Sequence, residues 1–497
     1  MNLSRRHFLA ATAATAGFGA VPSLLFPGAA RAAGDAATTL SVVRRPIQVL
    51  GKSAEMFDIV QPDGSRGLHA EAGRRFRVRL ENRAGEATLI HWHGLTPPWQ
   101  QDGVPGLSQP ALAAGKSYDY DFPLERPGTH WMHSHLGLQE QRLMAAPLIV
   151  RDPADKGADA QEVVVMLHDF TFRDPAEILA GLRGSGQGAA AGGHGAGHGQ
   201  PASAGHSAPP PAAAGHGGQG DHAAMAPAAV HLHDVEYDAF LANDRTLDDP
   251  QVHRVEKGGR VRLRLINAAT ATHFWIDLDR LHGRLVAVDG ISVVPMEGRR
   301  FEFAIAQRLD ILLQLPAEEG AWPVFAVREG DVKRTGFVLA TKNGRIARQS
   351  GEAHDKADPV GLGLERRLRA AAPLPALAAD RRHTLTFTEA PGYVWMLNGR
   401  VHGEHAPLAV RQGERVEVTF VDQTTMAHPM HLHGHPFQVV AIDGHRIAGA
   451  LRDTVLVPSR GSVTIAFDAV NPGKWALHCH HLYHMAGGMM TTVEYEI

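Results

Sequence analysis

The feature that most restricts what this chain can fold into is an internal repeat. Gly73-Arg-Arg-Phe-Arg-Val-Arg-Leu-Glu-Asn82, Gly258-Gly-Arg-Val-Arg-Leu-Arg-Leu-Ile-Asn267 and Gly413-Glu-Arg-Val-Glu-Val-Thr-Phe-Val-Asp422 are three versions of one pattern. Each is a turn glycine followed by a strand whose apolar side chains alternate with charged or polar ones, the signature of a half-buried strand. Three copies in 497 residues imply three related β domains, in keeping with about 150 residues per domain.

Two further elements follow each copy. The first reads His91-Trp92-His93-Gly94 in copy one, His273-Phe274-Trp275 in copy two and His428-Pro429-Met430-His431-Leu432-His433-Gly434 in copy three. The second reads Gly128-Thr-His-Trp-Met-His133-Ser134-His135, Gly320-Ala-Trp-Pro-Val-Phe325-Ala326-Val327 and Gly473-Lys-Trp-Ala-Leu-His478-Cys479-His480. Copies one and three therefore carry metal-ligand chemistry, and copy two has Phe325-Ala326-Val327 in its place.

Side chains alternate across a strand, so each His-x-His pair leaves one face. One pair alone is more often structural than ligating. Four pairs (91/93, 133/135, 431/433 and 478/480) at matching places in two related domains point to convergence on about three metal ions. Within His478-Cys479-His480 the two imidazoles take one face and the thiol the other, so the tripeptide links two metal sites. Cys479 is the only cysteine, which excludes an internal disulfide framework. A cysteine, two histidines and a weak thioether form a blue-copper electron-transfer set. Cys479, His484 and Met489 supply three of these ligands, and His428 is the histidine left over.

These stretches, HWHG, HSH, HPMHLHGH and HCHHLYHMAGGM, resemble the four copper signatures of three-domain multicopper oxidases over nearly the whole mature chain. The resemblance implies an all-β fold of three cupredoxin-like Greek-key β-sandwich domains holding four copper ions. It assigns His428, Cys479, His484 and Met489 to a type 1 copper. It assigns His91 and His431 to a type 2 copper. One type 3 copper takes His93, His133 and His480, and its partner takes His135, His433 and His478. It places Asp102 near the type 2 copper as a catalytic acid; as a residue before Gly103 it also suits a plain turn. The implied reaction is one-electron oxidation of a substrate at the type 1 copper, coupled to four-electron reduction of O2 to water at a three-copper cluster.

Asp102-Gly103-Val104-Pro105-Gly106-Leu107-Ser108, His135-Leu-Gly-Leu-Gln139-Glu140-Gln141 and Leu482-Tyr483-His484-Met485 are similar to the periplasmic copper-resistance oxidases. They favour Cu(I) as substrate and a role in copper tolerance; laccase-like oxidation of phenols or aromatic amines is the alternative. A third reading is non-catalytic copper sequestration on a dead oxidase fold, against which the complete ligand set argues. The chain departs from the resemblance in two ways. It lacks methionine-rich repeats, and Met485 stands where many laccase-like members have a proton-delivering glutamate. Asp453 is a candidate substrate ligand beside the type 1 site. Met426, Met430, Met485 and Met490 are further candidates that suit core packing equally.

Residues 1–32 read as a leader: Ser4-Arg5-Arg6-His7-Phe8-Leu9, a modest apolar stretch broken by Gly17, Gly19 and Pro22, and a small-x-small site at Ala30-Arg31-Ala32. This resembles a twin-arginine signal, implying that export machinery as a partner and a periplasmic location without a stable membrane anchor. The expected limits are 36–155 for domain one, 160–345 for domain two, 346–380 for a linker and 381–497 for domain three. Within domain two, about 183–233 is a Gly/Ala/Pro-rich insert carrying His194, His198, His206, His216, His222, His231 and His233. Such a segment cannot pack a core and suits either a flexible loop or loose metal capture. A net charge of -3 gives no reason to expect nucleic acid as a partner. A monomer is expected.

Overall fold

The computed structural model describes residues 37–184 and 230–496. The leader, and the insert's histidines from His194 to His222, lie outside the described residues. Among the described residues, no helix is long and apolar enough to cross a membrane.

The three repeat strands, Arg75–Asn82, Arg260–Asn267 and Arg415–Asp422, occupy equivalent central places in three sheets. Each runs parallel to the first strand of its domain (Thr38–Val49, Gln161–Phe170 and Arg381–Ala390). Each pairs antiparallel with a later strand on its other side (Ser117–Pro123, Arg308–Gln314 and Ser462–Asp468). Strands adjacent in space but distant in sequence make this a Greek-key arrangement. Phe76, Val78 and Leu80 point into the first core, while Arg75 and Arg79 stay in water.

A second sheet faces each of these, and the metal-ligand strands lie there. Ile90–His93 pairs with Gly128–Ser134 so that His91 sits opposite His133. His428–Leu432 pairs with Lys474–Cys479 so that His431 sits opposite His478. In the second domain Phe274–Asp277 pairs with Ala321–Arg328, placing Ile276 opposite Ala326. The middle copy keeps the strand pair and fills it with apolar side chains. The three sandwiches enclose separate apolar clusters, built around Trp92, Phe274 and Trp475 respectively.

Among the described residues, two α-helices break the β pattern. Pro175–Gly184 leads out of the second domain's first strand toward the insert. Leu482–Ala486 is a single short turn that returns His484 toward Cys479. The segment after residue 340 contains no strand until Arg381 and lies along the second domain. Buried carboxylates fasten it: Glu329 accepts from Val360 N at 2.8 Å, and Glu302 accepts from the backbone N–H groups of Gly361 and Leu364.

Candidate metal centre

Eight histidines from the first and third domains meet in one buried cluster. His135 is partly buried, and the other seven are almost fully enclosed. Their Nε2 atoms crowd together: His433 to His478 at 3.0 Å, His135 to His478 at 3.2 Å and His480 to His133 at 3.4 Å. His93 stacks on His431 with ring centroids 3.7 Å apart. His91 lies 3.8 Å from His433, centroid to centroid.

The outer nitrogens of these rings are committed elsewhere. His91 Nδ1 donates to the Asp102 carbonyl and His431 Nδ1 to the Asp453 carbonyl, both at 2.8 Å. His478 Nδ1 donates to Cys479 O at 3.0 Å, and His433 Nδ1 to the Asp102 carboxylate at 2.8 Å. A proton fixed on Nδ1 leaves a bare lone pair on Nε2, the tautomer that a metal takes. His93 is reversed: its Nε2 faces Asp453 Oδ1 at 3.1 Å, and Nδ1 is the free atom. His91 Nε2, His93 Nδ1 and His431 Nε2 are buried without a hydrogen-bond partner.

Burial, and after it the neighbouring histidines, hold His93, His135, His431, His433 and His480 well below the usual imidazole range. His478 is lowered to about 3, chiefly by burial. Neutral imidazoles with lone pairs facing one another at hydrogen-bond distance repel unless a cation lies among them, so these residues fit metal ions.

The second group lies on the other face of the strand that carries His478. Cys479 Sγ is 3.6 Å from His428 Nδ1 and 3.8 Å from His484 Nδ1, and the two Nδ1 atoms are 3.1 Å apart. All three residues are fully buried, and Met489 is equally buried in the same cluster. Burial pushes the Cys479 thiol far up, so a thiolate there needs a cation beside it. The backbone of one residue joins this group to the eight-histidine cluster.

Multicopper oxidase family profiles match residues 64–155, 162–344 and 376–497, most of the chain. The chain belongs to the multicopper oxidase family. It is a copper oxidoreductase with O2 as acceptor. Among curated relatives, the multicopper oxidase MmcO of Mycobacterium tuberculosis is 29% identical, over 86% of this chain and 81% of that protein. Copper resistance protein A of Pseudomonas syringae pv. tomato is 26% identical over 92% of each. Laccase-2 of Botryotinia fuckeliana is 25% identical over 88% of this chain and 78% of its own. In structure, the chain resembles Fet3p, a multicopper oxidase that functions in iron import, with TM-score 0.73 and 17% identity over 92% of this chain and 90% of that one. Botrytis aclada laccase gives TM-score 0.69 and 22% identity over 92% and 86%.

Around these two groups, the multicopper oxidase departs from its sequence reading at Asp453. That aspartate is buried at the eight-histidine cluster, where Arg308 binds both its carboxylate oxygens. Its contacts are with His93, Thr454, Arg308, Asp289 and His431, and it does not lie beside Cys479. Register explains the difference. The strand Thr454–Val457 runs against His428–Leu432 with Thr454 opposite His431 and Val457 opposite His428, so Asp453 falls at the cluster end. Met426, Met430 and Met490 are core residues, and Met485 packs with Val104, Ala476 and Met490.

Asp102 does lie at the cluster, where its carboxylate and its carbonyl each hold one histidine. Gly103 is required behind it: at φ +85° a Cβ would overlap the Ile90 carbonyl.

Three contacts were not read from sequence. Glu140, quoted above only for its resemblance, places Oε2 3.2 Å from His133 Nδ1 and Oε1 3.9 Å from His480 Nδ1. Arg308 of the second domain donates to Thr129 O of the first and to Asp453 of the third, pinning all three at the cluster. Asp234, directly after the insert, accepts from His484 Nε2 at 2.9 Å and from the Tyr393 hydroxyl. Burial alone would raise Asp234, but hydrogen bonds from His231 and His484 hold it well below the usual carboxylate range, so it stays ionised. Its only sequence signal is its place at the end of a histidine-rich tract.

Proposed function

We propose that this multicopper oxidase binds four copper ions and couples oxidation of Cu(I) to reduction of O2 to water, contributing to copper tolerance. His428, Cys479, His484 and Met489 hold the type 1 copper. His91 and His431 hold the type 2 copper. His93, His133 and His480 hold one type 3 copper, and His135, His433 and His478 hold the other. When bound, these ions supply one-electron uptake at the cysteine site and four-electron reduction of O2 at the cluster.

The observation that carries this reading is the continuity between the groups. Cys479 Sγ lies within 4 Å of two histidine nitrogens, and the flanking His478 and His480 belong to the eight-histidine cluster. Electrons taken up at the thiolate leave along one residue's backbone. Asp102 fixes the tautomer of His433, and Glu140 lies against His133; these two buried carboxylates sit where protons consumed with O2 must arrive. Trp395 stacks on His484 with centroids 3.9 Å apart and shields the cysteine site from bulk water.

Asp234 favours a metal cation as electron donor. It is an ionised carboxylate with a nearly buried side chain, hydrogen-bonded to a type 1 ligand, and it takes the place first assigned to Asp453. The test is competition between Cu(I) and a one-electron phenol, in wild type and Asp234→Ala. Cu(I) should have the higher specificity constant and Asp234→Ala should lower it most. A higher constant for the phenol, unaffected by Asp234→Ala, would place the protein with the laccases. The paired-arginine leader supports export by the twin-arginine route to the periplasm, which fractionation of an Arg5→Lys, Arg6→Lys variant would test.

A further inference from the structure

The arginines of the second repeat strand are only partly left in water: Arg264 is buried and Arg262 half-buried. With Arg260 they share one face of their strand, and that face is turned toward the first domain. Between it and the first domain's strand Leu68–Glu71 lies a cavity of about 890 Å³, which shares no residue with either metal group. A space of this size takes a small organic molecule. Ala70, Ala158, Ala160 and Leu312 give its wall apolar stretches.

Much of the charge on the wall is already neutralised. Glu162 pairs with Arg151 and Arg264, Asp155 with Arg262, and Glu71 with Lys156. Asp152 accepts from Ala154 N. Two guanidiniums are left over. Arg284 is exposed and has no ion-pair or hydrogen-bond partner among the described residues, although Glu297 stands opposite it in the ladder. Arg260, its side chain 57% exposed, donates to the Asp159 carbonyl and reaches the Asp159 carboxylate only at 4.0 Å. His282, two residues before Arg284, lines the same space, as does His69. Burial, and after it the Arg151 guanidinium, holds His69 below the usual imidazole range.

The sheet fixes the spacing of the two free guanidiniums. Leu312 stands opposite Arg262 on one side and Arg284 on the other, and Gln314 stands opposite Arg260. Two strand spacings, about 10 Å, therefore separate the Arg260 strand from the Arg284 strand. Leu312 lines the cavity between them. A guanidinium fork matches the paired oxygens of a carboxylate or a phosphate. We infer that this cavity binds a small organic diacid, its apolar body over Leu312, one acidic group held by Arg284 and His282 and the other by Arg260. Carboxylates and phosphates both provide that chemistry. The wall comes from the first two domains, so the occupant ties them together, whatever the electron donor is.

Four probes are titrated into the copper-loaded, full-length protein by calorimetry, with the thermal midpoint read alongside. Para,para′-biphenyldicarboxylate and its bisphosphonate counterpart carry two acidic groups on a rigid apolar body. Para-biphenylcarboxylate carries one, and inorganic pyrophosphate carries charge without the body. At least one of the two diacids should bind saturably at one site per chain and raise the thermal midpoint. The tighter of the two tells carboxylate from phosphate. The monoacid and pyrophosphate should bind at least tenfold more weakly. Arg284→Glu and Arg260→Glu, both at exposed side chains, should each weaken the diacid at least tenfold. Arg348→Glu, at an exposed arginine outside the cavity wall, should leave it within about twofold. Saturable binding of neither diacid overturns the site. So does a monoacid or pyrophosphate that binds as tightly as the diacid, or a loss in Arg348→Glu equal to that in Arg284→Glu, since either shows attraction without a two-ended fit.

Discussion

Asp102 of the first domain accepts a hydrogen bond from His433 of the third at 2.8 Å, while its own carbonyl accepts from His91. One residue thus orients two histidines from two domains. Asp102→Ala should lower copper affinity of the eight-histidine cluster by about 10- to 100-fold, the usual effect of losing such a partner. Copper per chain after dialysis against a graded chelator measures this, with the blue band of the Cys479 site retained as the internal control.

Asp453→Asn should act on the cluster and not on donor choice, because Asp453 contacts His93 and Arg308 and no residue of the cysteine site. The expected outcome is weakened cluster copper with the Cu(I)-to-phenol ratio of specificity constants kept within about twofold of wild type. A selective loss of Cu(I) oxidation would return Asp453 to the substrate site.

Arg308 is fully buried within a charged network that includes Asp453, Asp289, Arg452 and Glu365. Removing one member of a buried ionic network costs about 3–5 kcal/mol, because its partners keep their charge without compensation. Arg308→Met should therefore lower the thermal midpoint clearly in both metal-free and copper-loaded protein, as read by calorimetry. It should also loosen the cluster, since Arg308 joins all three domains there.

The strand pattern and the four His-x-His pairs were legible in the sequence, because both depend on local spacing, and the proposed copper ligands are the ones the family resemblance implies. Phe76, Val78 and Leu80 alternate with charge, and each His-x-His pair shares a face by the geometry of a strand. The loss of ligands from the middle copy was legible at Phe325-Ala326-Val327 for the same reason. Asp234 and Arg308 were not, since each acts through partners far away in the chain or in another domain; Glu140 was not, because only the turn Gln139–Arg142 brings its carboxylate back to His133. Asp453 was misplaced because membership of the third domain does not say which end of a strand pair a residue occupies. Only the register of Thr454 against His431 settles that.

Glu329 gives a pH dependence. Burial raises its carboxyl from 4.5 to about 8, above its value in the unfolded chain. The folded state therefore holds this proton more tightly. The stability contribution is fully present below about pH 4.5 and is lost as pH rises toward 8. Glu329→Gln, which keeps an oxygen for Val360 N, should raise the thermal midpoint at pH 8 relative to wild type and change it little at pH 5. An equal effect at both pH values would contradict this assignment.

The most direct measurement of the central claim, that electrons enter at Cys479 and are spent at the eight-histidine cluster, is copper content, visible absorption and O2 consumption of Cys479→Ser beside wild type. Wild type should carry about four coppers per chain, absorb in the blue band and consume O2 with donor. The variant should keep the cluster copper, because its eight histidines are untouched, and lose both the blue band and O2 consumption. A Cys479→Ser protein that oxidises donor at close to the wild-type rate would contradict the account.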